Sequence, residues 1–295
     1  PPRSTLFPYT TLFRSVFSCE KEYLQNNKEK INPDNQRILS LSASMPEKNN
    51  STRIALALEE KNVKMTWEDG DQLQLLFLQG EVKVKQIVTV KNISADRQKA
   101  DFDIILPENL NEGVFNLYGV YGGGGLSDAD PAFAVLPAST GSAGTLESVE
   151  GRKDVMMIFS YKEINTQDIK VNVTFRHLGS LFCIILKNMS GSNIENLGEV
   201  RLTAETDGWA YNNGEGGALY NVINEQFMSS ETAGDYISLK SPENTLLSGD
   251  SISFWAWYPL LPDVNWPELS LVINNNEGSV IVGSDNSKPE RTEPA

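Results

Sequence analysis

Histidine and cysteine are almost absent from this chain. Its 295 residues include one histidine, His177, and two cysteines, Cys19 and Cys183. A single histidine excludes a metal centre built on several histidines and leaves one candidate for any Ser/His/Asp or Cys/His system. The sequence offers that histidine neither a nucleophile nor an orienting acid, so we expect His177 to be a hydrogen-bonded structural residue. We therefore predict a non-enzymatic protein with no metal and no cofactor.

The chain also has no long apolar run and no excess of positive charge. Its longest apolar run, residues 254–261, contains Pro259 and is far shorter than the roughly 18 residues that a membrane-spanning helix needs. The formal net charge is −14. A surface of that sign repels phosphate backbones, so we expect no nucleic acid among the partners.

Both ends of the chain have unusual composition. Residues 1–15 read PPRSTLFPYTTLFRS, and residues 5–15 match the translation of a common sequencing-adapter DNA. We interpret residues 1–15 as an artefact and exclude them from the fold. The residues after Val282 show no apolar periodicity, so we expect the C-terminal domain to be truncated.

A lipid attachment signal follows the first fifteen residues. Val16-Phe17-Ser18-Cys19 resembles the bacterial lipobox, in which the cysteine thiol carries a diacylglycerol, although Val16 departs from the preferred leucine. A polar and charged stretch, residues 20–36, is suited to a tether. We predict lipidation of Cys19 and an outer-membrane, cell-surface location; the alternative is a free surface thiol.

The rest of the chain alternates between short apolar stretches and turn residues, without helical periodicity. This pattern predicts an all-β protein made of two tandem β-sandwich domains. The weakest seam in composition lies near residues 160–167. We place the domains at residues 51–163 and 164–295, behind residues 16–50, which hold the tether and a possible removable strand. The clearest predicted strands are 38–45, 72–78, 102–106, 114–121, 168–176, 181–186 and 251–258.

Two loop motifs are open to more than one interpretation. Trp67 and Asp71 lie in a W-E-D-G-D sequence, where we expect a packed indole and an aspartate that accepts turn hydrogen bonds; sugar binding by the tryptophan is the alternative. Gly122 to Gly125 precede Asp128 and Asp130, as in a phosphate or calcium loop. The lysine and helix of a phosphate loop are missing, and two carboxylates are too few for calcium, so we expect a surface loop.

Two strand segments carry the remaining candidates. Cys183 lies in an apolar stretch, so we expect an inert buried thiol. Trp255 and Trp257 share one face of a predicted strand. That face could offer a stacking platform for sugars, or the two indoles could belong to the core of the sandwich.

The ordered motifs of the chain resemble the fimbrillin family. The resemblance covers about residues 51–282, and the motifs that carry it are Ser51-Thr-Arg53, Trp67 to Asp71, Phe102 to Pro107, Leu117 to Tyr121, Asp154 to Met157, Val173 to Phe182, Gly249 to Phe254 and Trp257 to Pro259. It implies two stacked transthyretin-like β-sandwiches in a surface lipoprotein, either a pilus subunit or an adhesin. It also implies other fimbrial subunits as partners, which join by strand addition.

The same resemblance suggests proteolytic maturation. In polymerising members an arginine-specific protease removes the first strand, and a strand of another subunit fills the groove. Arg53 follows the predicted strand 38–45 in a polar linker and is our candidate processing site; the alternative is a linker arginine that is not cleaved. Cleavage at Arg37 would leave that strand attached. We expect the chain as it stands to accept a strand but not to donate one. The alternative function is that of a carbohydrate-binding surface lipoprotein in a glycan-uptake system.

Overall fold

The computed structural model of this chain describes residues 36–46, 57–59, 62–137, 140–151, 153–204, 218–228, 236–259, 269–275 and 278–282. Strands make up nearly all of the regular structure in these ranges, which confirms the predicted all-β fold. In chain order the strands are β1 Ile38–Ser44, β2 Ala57–Glu59, β3 Asn62–Lys64, β4 Gln72–Gln79, β5 Val82–Thr89, β6 Asn92–Ile93, β7 Lys99–Ile105, β8 Val114–Tyr121, β9 Gly125–Leu126, β10 Phe133–Val135, β11 Thr140–Ala143, β12 Met157–Asn165, β13 Lys170–Thr174, β14 Arg176–His177, β15 Gly179–Lys187, β16 Leu197–Ala204, β17 Leu219–Asn221, β18 Gln226–Phe227, β19 Tyr236–Lys240, β20 Ser251–Pro259, β21 Leu269–Asn275 and β22 Gly278–Val282.

The first sandwich consists of two sheets packed face to face. One sheet has the strand order β13-β1-β7-β6, and the other has the order β14-β12-β8-β4-β5. In β1, β7 and β13 buried residues alternate with more exposed ones, as in β7, where Ala100, Phe102 and Ile104 are buried. β4 and β8 also contain consecutive buried residues. Together these inward side chains form one continuous apolar core.

The strand pairing crosses the boundary predicted between residues 163 and 164. That boundary falls inside β12, which pairs with β8, while β13 pairs with β1 and β14 pairs with β12. The strands of the first sandwich therefore extend to His177. β12 escaped detection because Tyr161-Lys-Glu163 is exposed and the register shifts between Tyr161 and Ile164, so this part of the strand has the composition of a linker.

The second sandwich opposes a wide sheet to a narrow one. The wide sheet has the order β11-β19-β16-β21-β22, in which β11 runs parallel to β19. The narrow sheet contains β15 and β20, which pair antiparallel along nine residues without a register shift. Phe254 and Ile252 of β20 are buried together with Val200 of β16 and Leu239 of β19.

A small sheet joins the two sandwiches. Its order is β18-β17-β10-β9, so a hairpin from the second half of the chain extends a hairpin from the first half. The single helix within the described ranges, α1 Leu146–Gly151, follows β11 and is capped by Thr145, whose hydroxyl accepts a 3.0 Å hydrogen bond from the Ser148 N–H. The remaining strands, β2 and β3, pair with each other.

Candidate functional site

The first strand occupies the middle of a sheet rather than its edge. β1 pairs antiparallel with β7 along all seven of its residues, and on its other side it pairs parallel with β13. Its side chains alternate strictly, so that Leu39, Leu41 and Ala43 are fully buried while the serines between them face outwards. β1 is therefore an N-terminal strand that completes a core formed by later parts of the chain.

The cavity that β1 fills is defined by its neighbours on both sides. Leu41 lies between Phe102 of β7 and Val171 of β13, and Ala43 lies between Ala100 and Val173. All four of these neighbours are buried. Without β1 they would line a groove whose walls are two strand edges with unpaired N–H and C=O groups.

Two predicted modification sites lie outside the described residues. Cys19 precedes residue 36, and Arg53 lies between β1, which ends at Ser44, and β2, which begins at Ala57. Their chemistry stays a prediction. The position of Arg53 after β1 means that a cut there would separate β1 from every strand that follows it.

The W-E-D-G-D motif forms a tight turn with Trp67 at its start. The Trp67 indole is fully buried and meets Phe102, Tyr121 and Phe175 edge-on, with ring centroids 5.6 to 5.8 Å apart. These contacts join both sheets of the first sandwich. Within the described residues this indole has no surface on which a sugar could stack.

The Asp71 carboxylate accepts hydrogen bonds from three donors in three parts of the chain. Its Oδ2 accepts the Glu68 N–H at 2.8 Å, and its Oδ1 accepts both the Tyr121 hydroxyl and the Lys153 ammonium at 2.9 Å. Asp71 is buried, whereas about half of the Lys153 side chain reaches solvent. The predicted turn bond is confirmed, but nothing in the local sequence pointed to Tyr121 and Lys153, which lie 50 and 82 residues away.

The four glycines form a closely packed loop. A Cβ at Gly122 would lie 2.2 Å from the Val155 carbonyl oxygen, and a Cβ at Gly125 would lie 2.0 Å from the Gln74 side chain. Both glycines have positive φ angles. The run of glycines thus allows close backbone packing against neighbouring strands, which is a structural role.

Lysines neutralise the two aspartates that follow the glycines. Lys85 contacts Asp128 at 2.6 Å, and Lys83 contacts Asp130 at 2.9 Å. The hydrogen bond from Lys85 lowers the pKa of Asp128. The pKa of Asp130 is lowered first by the hydrogen bond from the Ala132 N–H and then by the one from Lys83. Both carboxylates are thus paired with lysines. In a calcium loop they would instead be free to bind the ion. Within the described ranges no group of three or more acidic, histidine or cysteine side chains is placed to hold a metal.

The single histidine and the second cysteine differ in exposure. His177 pairs with Met157 at the sheet edge, and burial lowers its pKa to about 4, so its imidazole is neutral at pH 7. Cys183 is exposed, and the prediction of a buried thiol is wrong. It lies on the outer face of a two-stranded sheet, a topology that the apolar run 181–186 did not reveal.

A polar cluster at the joint between the sandwiches was missed by sequence reasoning. Arg176 donates to Glu225 at 2.9 Å and to the Tyr220 hydroxyl at 3.1 Å, and Ser160 donates to Glu225 at 3.0 Å. Tyr220 is buried against Phe227. The cluster ties β12 and β14 to the β17–β18 hairpin. No local motif marks residues that come together across more than 40 positions.

The two tryptophans predicted as a stacking platform have unequal exposure. Trp257 is 4% exposed, whereas Trp255 is half-buried and packs partly against the core. Their register partners on β15 are Leu181 and Cys183. Any sugar contact on this face is therefore left to Trp255.

The described residues contain no helix with the length and apolarity to cross a membrane.

Comparisons with known proteins give structural likenesses. No family model and no curated protein matches the chain. A structure described as a candidate cell adhesion protein of Bacteroides ovatus ATCC 8483 is similar, with a TM-score of 0.49 and 12% identity over 84% of this chain and 86% of that one. A candidate adhesin of Bacteroides ovatus gives a TM-score of 0.44 and 12% identity over 88% and 79% of the two chains. A fimbrial protein of Bacteroides ovatus ATCC 8483 gives 0.30 and 11% over 83% and 45%.

These three similar structures are adhesion and fimbrial proteins of Bacteroides, the kind of protein that the sequence resemblance names. Because their TM-scores lie below 0.5 and their identities do not exceed 12%, they carry no argument about what this chain does.

Proposed function

We propose that this chain is a cell-surface fimbrial subunit or adhesin of the fimbrillin type, anchored to the outer membrane by a lipid on Cys19. The observation that carries the proposal is the central position of β1, between β7 and β13. The ordered motifs within residues 51–282 and the lipobox-like residues before Cys19 add to it.

Cleavage after Arg53 is the proposed activating step. It frees the segment that contains β1, and release of that strand uncovers the inner faces of β7 and β13. An open groove of this kind is costly, because its apolar side chains and its backbone groups both lose their partners. A strand from another subunit restores both, which is β-augmentation between chains.

The register of β1 sets the requirements for an incoming strand. It must run antiparallel to β7 and parallel to β13 for about seven residues, and it must present apolar side chains at alternate positions. The position of Ala43 faces Ala100 and Val173 and calls for a small residue. The outward positions, now occupied by serines, tolerate polar residues.

Limited digestion with an arginine-specific protease tests the cleavage step. We expect intact mass to show loss of residues 1–53 from the native chain and no such loss from an Arg53→Lys variant. An Arg37→Lys variant is the matched control and should be cut after Arg53 like the wild type. Cutting only at other arginines would contradict the proposed site.

The lipid anchor has its own test. The gene is given an intact signal peptide, and cells are labelled with a fatty-acid probe. Label should appear on the wild-type chain and disappear in a Cys19→Ala variant. Label that survives this substitution would rule out Cys19 as the anchor.

Carbohydrate binding is the alternative function. It would depend on Trp255, because Trp257 is buried. A glycan array that compares the wild type with a Trp255→Ala variant separates the alternatives, since only a glycan-binding protein should give a signal that the substitution abolishes.

A further inference from the structure

We infer that the free edge of β15 pairs with the same strand of a second copy of this chain, forming a symmetric dimer. The inference concerns the second sandwich and is independent of the proposed exchange of β1. It starts from the narrow sheet, where β15 pairs with β20 and, within the described residues, with no other strand.

The backbone of β15 presents hydrogen-bonding groups to that free edge. The Trp255 N–H donates to the Gly144 carbonyl oxygen at 3.1 Å, so at the Trp255–Cys183 pair the backbone groups of β20 point away from β15. Antiparallel pairs alternate between residues that exchange hydrogen bonds and residues whose groups point outwards. The N–H and C=O of Cys183 therefore face the free edge, and by the same alternation so do those of Leu181 and Ile185.

Within the described residues, the central part of this edge lacks the features that keep natural edge strands apart. It is nine residues long, it contains no proline and no register shift, and its first charged residue is Lys187 at the end. β5, at the edge of the first sandwich, differs, because it carries Lys83 and Lys85 within the strand. An unprotected edge of this length is expected to be covered by another strand.

Exposed apolar side chains accumulate next to the same edge. Ile185 is 66% exposed and Met189, just beyond the strand, is 78% exposed, the two highest values among the large exposed apolar residues of the described ranges. The buried Asn188 side chain donates to the Leu246 carbonyl at 2.9 Å, which fixes the start of the loop that carries Met189. The patch is thus held in place before any partner arrives.

A second copy of β15 meets the chemical requirements of this edge. β15 contains no acidic residue, so its partner needs no basic residue for charge complementarity. The single basic residue of β15, Lys187, lies at its end, so a second copy of the strand brings no charge to the centre of the pairing. With the two-fold axis at Cys183, Leu181 lies opposite Ile185 of the other copy, and the two Lys187 residues are about 27 Å apart along the strands. A parallel arrangement would instead set like charges side by side.

The chain's own residues 283–295, GSDNSKPERTEPA, are poorly suited to pair with β15 as an added strand, because they contain two prolines and no large apolar residue.

The antiparallel arrangement makes a specific geometric prediction. It brings the two Cys183 residues opposite each other at a Cα–Cα separation of about 5.5 Å, which is within the range that a disulfide can bridge. The exposed thiol of Cys183 is accessible for this reaction. Two thiols lose two hydrogens and two electrons to an added oxidant such as diamide, which is reduced to its hydrazine, and the disulfide forms.

The experiment uses the full chain with Cys19→Ser, so that Cys183 is the only thiol. Sedimentation velocity should show a monomer–dimer equilibrium that shifts towards dimer as salt screens the net charge of −14. Diamide should convert the dimer to a covalent one on a non-reducing gel, and a Cys183→Ser variant should dimerise without cross-linking.

The deciding comparison places a lysine on each of two exposed isoleucines. Ile185→Lys should raise the dimer dissociation constant at least about tenfold, because a charge then lies on the pairing edge. Ile87→Lys, at a β5 position that is 52% exposed, should leave it unchanged. A chain that is monomeric at all attainable concentrations overturns the inference, as does a dimer that persists with Ile185→Lys or that fails to cross-link through Cys183.

Discussion

The Tyr121 hydroxyl donates a 2.9 Å hydrogen bond to the buried carboxylate of Asp71, although 50 residues separate them in sequence. The bond connects the end of β8 to the turn that precedes β4. Burial, followed by the nearby charge of Asp71, raises the pKa of Tyr121, so its hydroxyl stays protonated and remains a donor at any physiological pH. The same carboxylate oxygen also accepts the Lys153 ammonium.

Replacement of Asp71 should destabilise the first sandwich. In an Asp71→Asn variant an amide N–H₂ occupies one of the two oxygen positions, so at least one buried donor loses its acceptor. We expect a loss of about 2 to 4 kcal/mol in the free energy of unfolding, measured by urea denaturation. Asp69→Asn, at an exposed position of the same turn, is the control and should change stability by less than about 0.5 kcal/mol. Equal effects of the two substitutions would contradict the claim that the hydrogen bonds of Asp71 stabilise the first sandwich.

His177 should make stability depend on pH. Burial lowers its folded-state pKa from 6.5 to about 4, so between these values the unfolded chain binds a proton that the folded chain does not. The free energy of unfolding is therefore highest above pH 6.5. It decreases as the pH falls towards 4, by at most about 3 kcal/mol. Below pH 5 the carboxyl groups add their own dependence, so the window from 6.5 to 5 is the informative one.

A His177→Gln variant isolates this effect, because the chain contains no other histidine. Urea denaturation at several pH values should give the wild type a slope between pH 6.5 and 5 that the variant lacks. A wild-type curve that is already flat in this interval would mean that the folded-state pKa is not depressed.

The glycine loop should be intolerant of side chains. Gly122→Ala places a Cβ 2.2 Å from the Val155 carbonyl oxygen, in a backbone conformation with φ of +81°. Gly80→Ala has a similar cost in φ but meets no atom within 4 Å, so it separates backbone strain from steric overlap. We expect a loss of about 1 kcal/mol for Gly80→Ala and more than about 2 kcal/mol for Gly122→Ala, from urea denaturation. Similar losses would show that the loop can shift.

Local patterns predicted much of the strand content but little of its arrangement. β1 was predicted within one residue because its apolar residues alternate with serines. β8 was predicted at its observed limits because a largely apolar run ends at four glycines. β12 was lost to a bulge where Glu163 has a positive φ angle and polar residues follow one another. The parallel pairing of β1 with β13 connects positions 130 residues apart, and no local pattern records such a contact.

The candidate site shows the same limit. The position of Asp71 in a turn follows from the W-E-D-G-D sequence, whereas its contact with Lys153 depends on how the loop after α1 returns to the first sandwich. Cys183 was misplaced because an apolar run suits a strand buried on both faces as well as one strand of an exposed two-stranded sheet. The difference between the two is a property of the sheet and not of the strand.

Strand exchange by peptide is the most direct test of the claim that β1 is a replaceable strand. The chain is cut after Arg53, the freed segment is removed in mild denaturant, and a labelled peptide of residues 36–46 is added. We expect the peptide to bind the cut chain and not the uncut one, whose groove is filled. Leu41→Asn in the peptide, at a fully buried position, should weaken binding at least about 30-fold, equivalent to roughly 2 kcal/mol, whereas Ser42→Asn, which faces outwards, should bind like the original sequence. The claim would be contradicted by a cut chain that does not bind the original peptide. It would also be contradicted by a cut chain that binds the Leu41→Asn and Ser42→Asn peptides equally well.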